Sequence, residues 1–160
     1  MPRPRAYIET TIPSAYHERR GGPKVAAKRA ATRHWWSSAG ETYELVTSRL
    51  VIQELSAGPA ERREEWLSLV RELPLLRSTP KIISTVQVYL NQKLMPAVPP
   101  TDAYHLAFAS FHRCEYLVTW NMRHLANENK FEHIRRVNEA LGLFVPSIVT
   151  PRQLIGGADE

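Results

Sequence analysis

Residues 5–10 combine β-forming types around Ala6, Tyr7 and Ile8 and run into Pro13, a pattern that predicts a short strand. Gly21, Gly22 and Pro23 break the chain, and the periodicity from Lys24 to about Ser38 predicts a helix, with Gly40 as its end. Residues 43–47 read as a second strand, followed by a helix capped by Ser48 and closed at Gly58-Pro59. Residues 60–72 form an amphipathic pattern through Trp66, Leu67, Val70 and Leu73. Residues 74–77 suit a short strand, and Pro80 opens a helix reaching about Leu94. Pro96, Pro99 and Pro100 then stiffen the connection, after which Thr101 caps a small-residue helix from Asp102 to about Arg113. Residues 116–120 give the clearest buried strand. A helix over about 130–141 stops at Gly142, and residues 143–146 suit a last strand. Strands alternating with helices predict an α/β fold, a mainly parallel central sheet flanked by helices.

Composition narrows this picture without changing it. At 160 residues, 43% hydrophobic and 23% charged, the chain suits a single domain (1–160, core about 5–150) with one well-formed core. The single cysteine, Cys114, offers no intramolecular disulfide, and no apolar run approaches the ~18 residues that span a bilayer. Arg3 and Arg5 lack an apolar segment behind them. A cytoplasmic protein without membrane contact is expected. No glycine-rich phosphate loop follows a strand, so nucleotide-cofactor chemistry is not expected.

Charge adds a location. The net charge is +5, yet residues 1–33 alone carry eight basic side chains against two acids, a local excess of +6. A basic cluster on a near-neutral body suits a polyanion, and equally suits a solvated helix with no partner. Trp35 and Trp36 beside it favour core or dimer packing over base stacking.

Four polar residues occupy places that packing explains poorly. Glu9 ends the first strand and Asn121 follows the 116–120 strand, both at the carboxyl edge where open α/β sheets bind ligands. Glu54 projects from the apolar stripe of its helix beside Val51 and Leu55, where an unpaired acid is costly. Asp102 opens its helix on a face shared with His105, Leu106 and Ala109; an acid there also simply complements the helix dipole. Taken together, carboxylates and an amide oxygen are hard donors for Mg²⁺ or Mn²⁺, and converging acids repel unless a cation separates them. His105, His112 and Cys114 are too widely spaced for a zinc site, and His105 reads as a packing residue or a partner of the acids. Cys114 reads as a buried small hydrophobe.

With these residues in place, nearly the whole chain resembles the PIN-domain nucleases, particularly the VapC-like toxins of toxin–antitoxin pairs. The resemblance lies in Tyr7-Ile8-Glu9-Thr10-Thr11, Ser48-Arg49-Leu50-Val51-Ile52-Gln53-Glu54-Leu55, Asp102-Ala103-Tyr104-His105-Leu106-Ala107-Phe108-Ala109 and Leu117-Val118-Thr119-Trp120-Asn121-Met122-Arg123-His124-Leu125, in that order. It implies a single PIN-like domain and metal-dependent cleavage of RNA. Glu9, Glu54, Asp102 and Asn121 would form the catalytic set, and Glu9, Asp102 and Asn121 would hold Mg²⁺ or Mn²⁺. Thr10 or Thr119 would orient water or an acid through its hydroxyl. Arg19, Arg20 and Lys24 are expected to guide the phosphate backbone, with His124 near a phosphate. The resemblance further implies a cognate antitoxin and a homodimer. Two positions depart from its usual pattern: Glu9 and Asn121 both stand where Asp is common. Alternatives are an RNA-processing nuclease with no antitoxin, or a degenerate domain that binds RNA or protein without cutting.

Overall fold

The computed structural model describes residues 2–159, the last three as backbone only. The elements are β1 (Arg5–Ile8), α1 (Thr11–Tyr16), α2 (Pro23–Thr42), β2 (Glu44–Ser48), α3 (Arg49–Ser56), α4 (Ala60–Val70), β3 (Leu75–Leu76), α5 (Pro80–Asn91), α6 (Thr101–Phe111), β4 (Tyr116–Val118), α7 (Glu128–Ala140), β5 (Ser147–Val149) and α8 (Pro151–Asp159). The five strands pair in the order β3-β2-β1-β4-β5, all parallel, with Tyr7 level with Val46 on one side and Leu117 on the other. The expected α/β class is therefore observed.

β1 lies at the centre, and Ala6, Tyr7 and Ile8 are all fully buried. That is the mark of a parallel strand covered on both faces. From β1 the chain runs outward through β2 and β3, then returns to β4 on the other side. The order reverses between β1 and β4, and the crevice at such a switch point is where this class of sheet opens to ligands. Glu9 leaves the carboxyl end of β1 and Thr119 that of β4, so both flank the crevice.

Several boundaries differ from expectation, mostly at punctuating residues. Gly40 does not end α2. The helix runs on to Thr42 and stops where Tyr43 turns extended to enter β2. Pro13 sits in the first turn of α1, where its missing N–H costs nothing, so the stretch after β1 is helical. Residues 143–146 are not a strand; β5 starts after Pro146, at Ser147, whose N–H donates to the Glu115 carbonyl. Helix α8 was not expected. Thr150 and Gln153 start it with reciprocal side-chain-to-backbone hydrogen bonds of 3.2 and 2.9 Å, a capping box with Gln in place of Glu. Ser48 stands at the N-cap of α3 as expected, but its hydroxyl makes no capping bond and instead meets the Tyr7 phenol at 2.7 Å; Thr101 is the first residue of α6 rather than its cap. Trp35 is buried, its neighbour Trp36 half-buried, and Cys114 is buried, where desolvation pushes its thiol up to about 12. No helix among the described residues is long and apolar enough to cross a membrane.

Candidate acidic site and its hydrogen-bond frame

Glu9 stays attached to the sheet after β1 ends, because its N–H donates to the Val118 carbonyl at 3.2 Å. Its side chain is only 4% exposed. One oxygen, Oε1, accepts three hydrogen bonds: from the Thr11 N–H (3.1 Å), the Thr11 hydroxyl (2.5 Å) and the Thr119 hydroxyl (2.6 Å). Those donors hold the carboxylate in one orientation and offset the cost of burying it. The other oxygen has no protein partner among the described residues and is not sealed from solvent.

The same hydroxyls tie Glu9 to the chain beyond β4. Thr11 Oγ1 accepts the Trp120 N–H at 2.8 Å, and Thr119 Oγ1 accepts the Asn121 N–H at 2.9 Å. Asn121 Oδ1 then accepts the His124 N–H (3.0 Å), which fixes the amide so that Nδ2 donates to Asp102 Oδ1 at 3.2 Å. Asn121 thus faces Asp102 with a donor and turns its oxygen into its own loop. An acid at this position would confront Asp102 with a like charge. Asp102 itself is half-buried in the first turn of α6. His124 enters this frame through its main-chain N–H.

Glu54 points from α3 toward the sheet, where Oε1 accepts the Thr10 hydroxyl at 2.5 Å and meets His105 Nε2 at 2.8 Å. His105 is fully buried, and its Nδ1 lies 2.8 Å from the Tyr7 phenol, which in turn meets Ser48. Burial works to lower the His105 pKa. The Glu54 hydrogen bond and the charges of Glu9, Glu54 and Asp102 outweigh it, so the pKa is raised. Burial likewise works to raise the Glu54 pKa, but the His105 bond and charge, with the Thr10 hydroxyl, lower it. Both protonation states of His105 can be fully hydrogen-bonded, because the Tyr7 and Ser48 hydroxyls can reverse their donation.

Three acids from three distant segments thus act on one buried imidazole. Their closeness is limited, however: among the described residues, no three acid, histidine or cysteine side chains stand close enough to hold one metal ion. The donor chemistry fits a Mg²⁺-type ion on a smaller protein share. Such an ion commonly takes one or two carboxylates and completes its shell with water and substrate phosphate. Glu9 and Asp102 each keep one oxygen without a protein partner among the described residues, as that mode requires.

The expected phosphate-guiding cations are only partly free. Arg19 pairs with Glu65, and Arg20 pairs with Glu18 at 2.9 Å, holding that carboxyl down to about 2. Lys24 has no acidic partner among the described residues and lines a cavity with Lys28 and Arg152. Sequence reasoning missed Thr11, whose hydroxyl sits beside Glu9, and Tyr7 and Ser48, which support His105. The tandem Thr10-Thr11 after a strand-ending acid was the available signal for Thr11. Arg152 had none, because it belongs to a helix the periodicity did not reveal. No protein-family model matches this sequence, and neither does any curated protein sequence.

Proposed function

We propose that this chain is a Mg²⁺- or Mn²⁺-dependent endoribonuclease of the PIN-domain type, the toxin of a toxin–antitoxin pair. The observation that carries the enzymatic reading is the hydrogen-bond frame beside the sheet's switch point, in which Thr11 and Thr119 hold Glu9, Asn121 reaches from Thr119 to Asp102, and Thr10 and His105 hold Glu54. A divalent cation bound there would supply an activated water and stabilise the leaving oxygen of a phosphodiester. Glu9 and Asp102 are the residues that would hold it. Thr11 and Thr119 fix the Glu9 carboxylate in place, and Asn121 fixes that of Asp102. Glu54 is kept ionised by His105, and a carboxylate held below its ordinary pKa is a weak base. Its contribution is therefore negative charge that attracts the cation, rather than proton abstraction. The toxin role, the cognate antitoxin, a cytoplasmic setting and a homodimer rest on the resemblance in the four acid-bearing segments.

One observation favours a second reading, a domain that binds RNA without cutting it. Asn121 presents an amide to Asp102 where an acid is usual, leaving one carboxylate fewer for the cation. The test is cleavage of structured RNA in Mg²⁺ and in Mn²⁺, with and without chelator. The nuclease reading expects metal-dependent cutting by the wild type and a loss of about 100-fold or more in Asp102→Asn with folding intact. Cutting by Asn121→Asp but not by the wild type supports the binding reading. Unchanged cutting by Asp102→Asn removes Asp102 from the site. An adjacent gene for a small DNA-binding protein would separate the toxin from an RNA-processing nuclease.

A further inference from the structure

Beyond the acidic site, the N-terminal ends of α2 and α8 come together around a cavity of about 420 Å³ lined by Pro23, Lys24, Ala27, Lys28 and Arg152. Its three cations have no acidic partner among the described residues. Their placement opposes stability. Lys24 and Lys28 form a like-charge i,i+4 pair, which repels on a helix surface. Lys24 and Arg152 also lie in the first turns of their helices, where the dipole favours acids, and neither first turn contains one. Three mutually repelling cations, two of them against a helix dipole, are relieved by an anion between them.

Their neighbour links them to the acids. Lys28 Nζ and Arg152 Cζ lie 5.6 and 5.4 Å from the centre of the Trp120 ring, within range of attraction by its π face. Trp120 is itself held: its indole N–H donates to Thr32 on α2 at 2.8 Å, and its main-chain N–H donates to Thr11, the residue that clamps Glu9. The next residue is Asn121. The cationic cavity therefore borders the acidic site through a single ring, with each cation on a helix whose start is fixed by proline.

We propose that Lys24, Lys28 and Arg152 bind a backbone phosphate of the RNA strand next to the one presented to the acids. This rests on the reading that the acids act on RNA, and it names three residues that position the strand. The cations supply the attraction that the acids would otherwise cancel, and Trp120 contacts both regions.

The test is equilibrium binding of a fluorescein-labelled oligouridylate in chelator, followed as a function of salt. Lys28→Gln/Arg152→Gln is expected to weaken binding by about tenfold and to reduce the log–log salt slope by about 0.7, the value for the one phosphate contact on a single strand. Lys24→Gln/Lys28→Gln, which leaves α8 untouched, should lower the slope equally. Lys81→Gln/Arg136→Gln, on α5 and α7, should leave it unchanged. An unchanged slope in the first two variants, equal losses in the third, or no RNA binding by the wild type overturns the proposal. So does displacement of the RNA by hexaglutamate where sodium chloride of equal ionic strength leaves it bound, which assigns the cavity to an acidic protein segment. Because binding is read in chelator, cleavage results bear on the nuclease reading alone.

Discussion

Burial alone would raise the pKa of Glu54 and lower that of His105, and across 2.8 Å each residue reverses the outcome for the other. The direction of each shift sets a window for stability. His105 is raised above its ordinary 6.5, so its contribution is full below pH 6.5 and is lost as pH rises through the folded value. Glu54 is lowered below its ordinary 4.5, so its contribution is present above pH 4.5 and is lost as pH falls through the folded value. Both contributions are complete between those two ordinary values. In metal-free protein, the thermal midpoint is expected to be highest across that window and to decline on the alkaline side. Glu54→Gln should flatten the alkaline decline; a wild-type midpoint that climbs steadily from pH 6.5 to 8 would contradict a charged His105. Glu54 was legible in the sequence because an acid on an apolar stripe needs a partner. The partner's identity was not, because His105 lies 51 positions away and only the fold joins them. Asn121 was legible as a site residue by its place after a strand. Which end of its amide faces Asp102 depends on the His124 N–H, a detail of loop geometry that no spacing encodes.

Helices α5, α6 and α7 are joined by a buried polar cluster as well as by apolar contact. The Tyr89 hydroxyl donates to Asn138 Oδ1 at 2.6 Å and lies 3.2 Å from the Ser110 hydroxyl, while Asn138 Nδ2 donates to Ser110 and to the Phe144 carbonyl. Tyr89→Phe leaves these groups a donor short inside the protein. Urea unfolding should show a loss of about 1–3 kcal/mol in that variant, with the m-value unchanged. At the α3–α4 corner the tolerance is steric. A Cβ on Gly58 would lie 2.3 Å from Cζ3 of Trp66 and 3.3 Å from the Leu55 carbonyl oxygen. Gly58→Ala should cost about 1–3 kcal/mol by overpacking, read in the same unfolding experiment. Periodicity located four of the five strands and most helices, since burial on a parallel sheet demands continuous apolar runs. It misplaced boundaries at Pro13, Gly40 and Pro146. Each of those residues has two outcomes, a break or a tolerated position, and neighbouring contacts decide between them.

Over the whole molecule, most basic side chains of the first 33 residues are engaged within the protein. Arg5 pairs with Glu44, Arg19 with Glu65 and Arg20 with Glu18, while Arg29 and Arg33 donate to the carbonyls of Glu18 and Tyr16. Lys24 and Lys28 make no such contact among the described residues, and Arg152 joins them from the far end of the chain. Charge reversal should therefore be position-dependent. Arg20→Glu is expected to change RNA affinity less than Lys28→Glu at equal net charge, a comparison that separates local contact from overall attraction. The sequence revealed the excess but not its distribution, because ion pairing is settled by which surfaces fold together. Trp120 then acquires a use outside binding. Its ring is the one indole here touched by two cations, and its 7% exposure leaves its surroundings set almost entirely by protein. An anion that draws Lys28 and Arg152 away from the ring alters the electric field across it. Occupancy of the cavity should then register in the intrinsic emission of the protein, and Trp120→Phe should silence that signal. The fold carries its own optical gauge at the border between its basic and acidic regions.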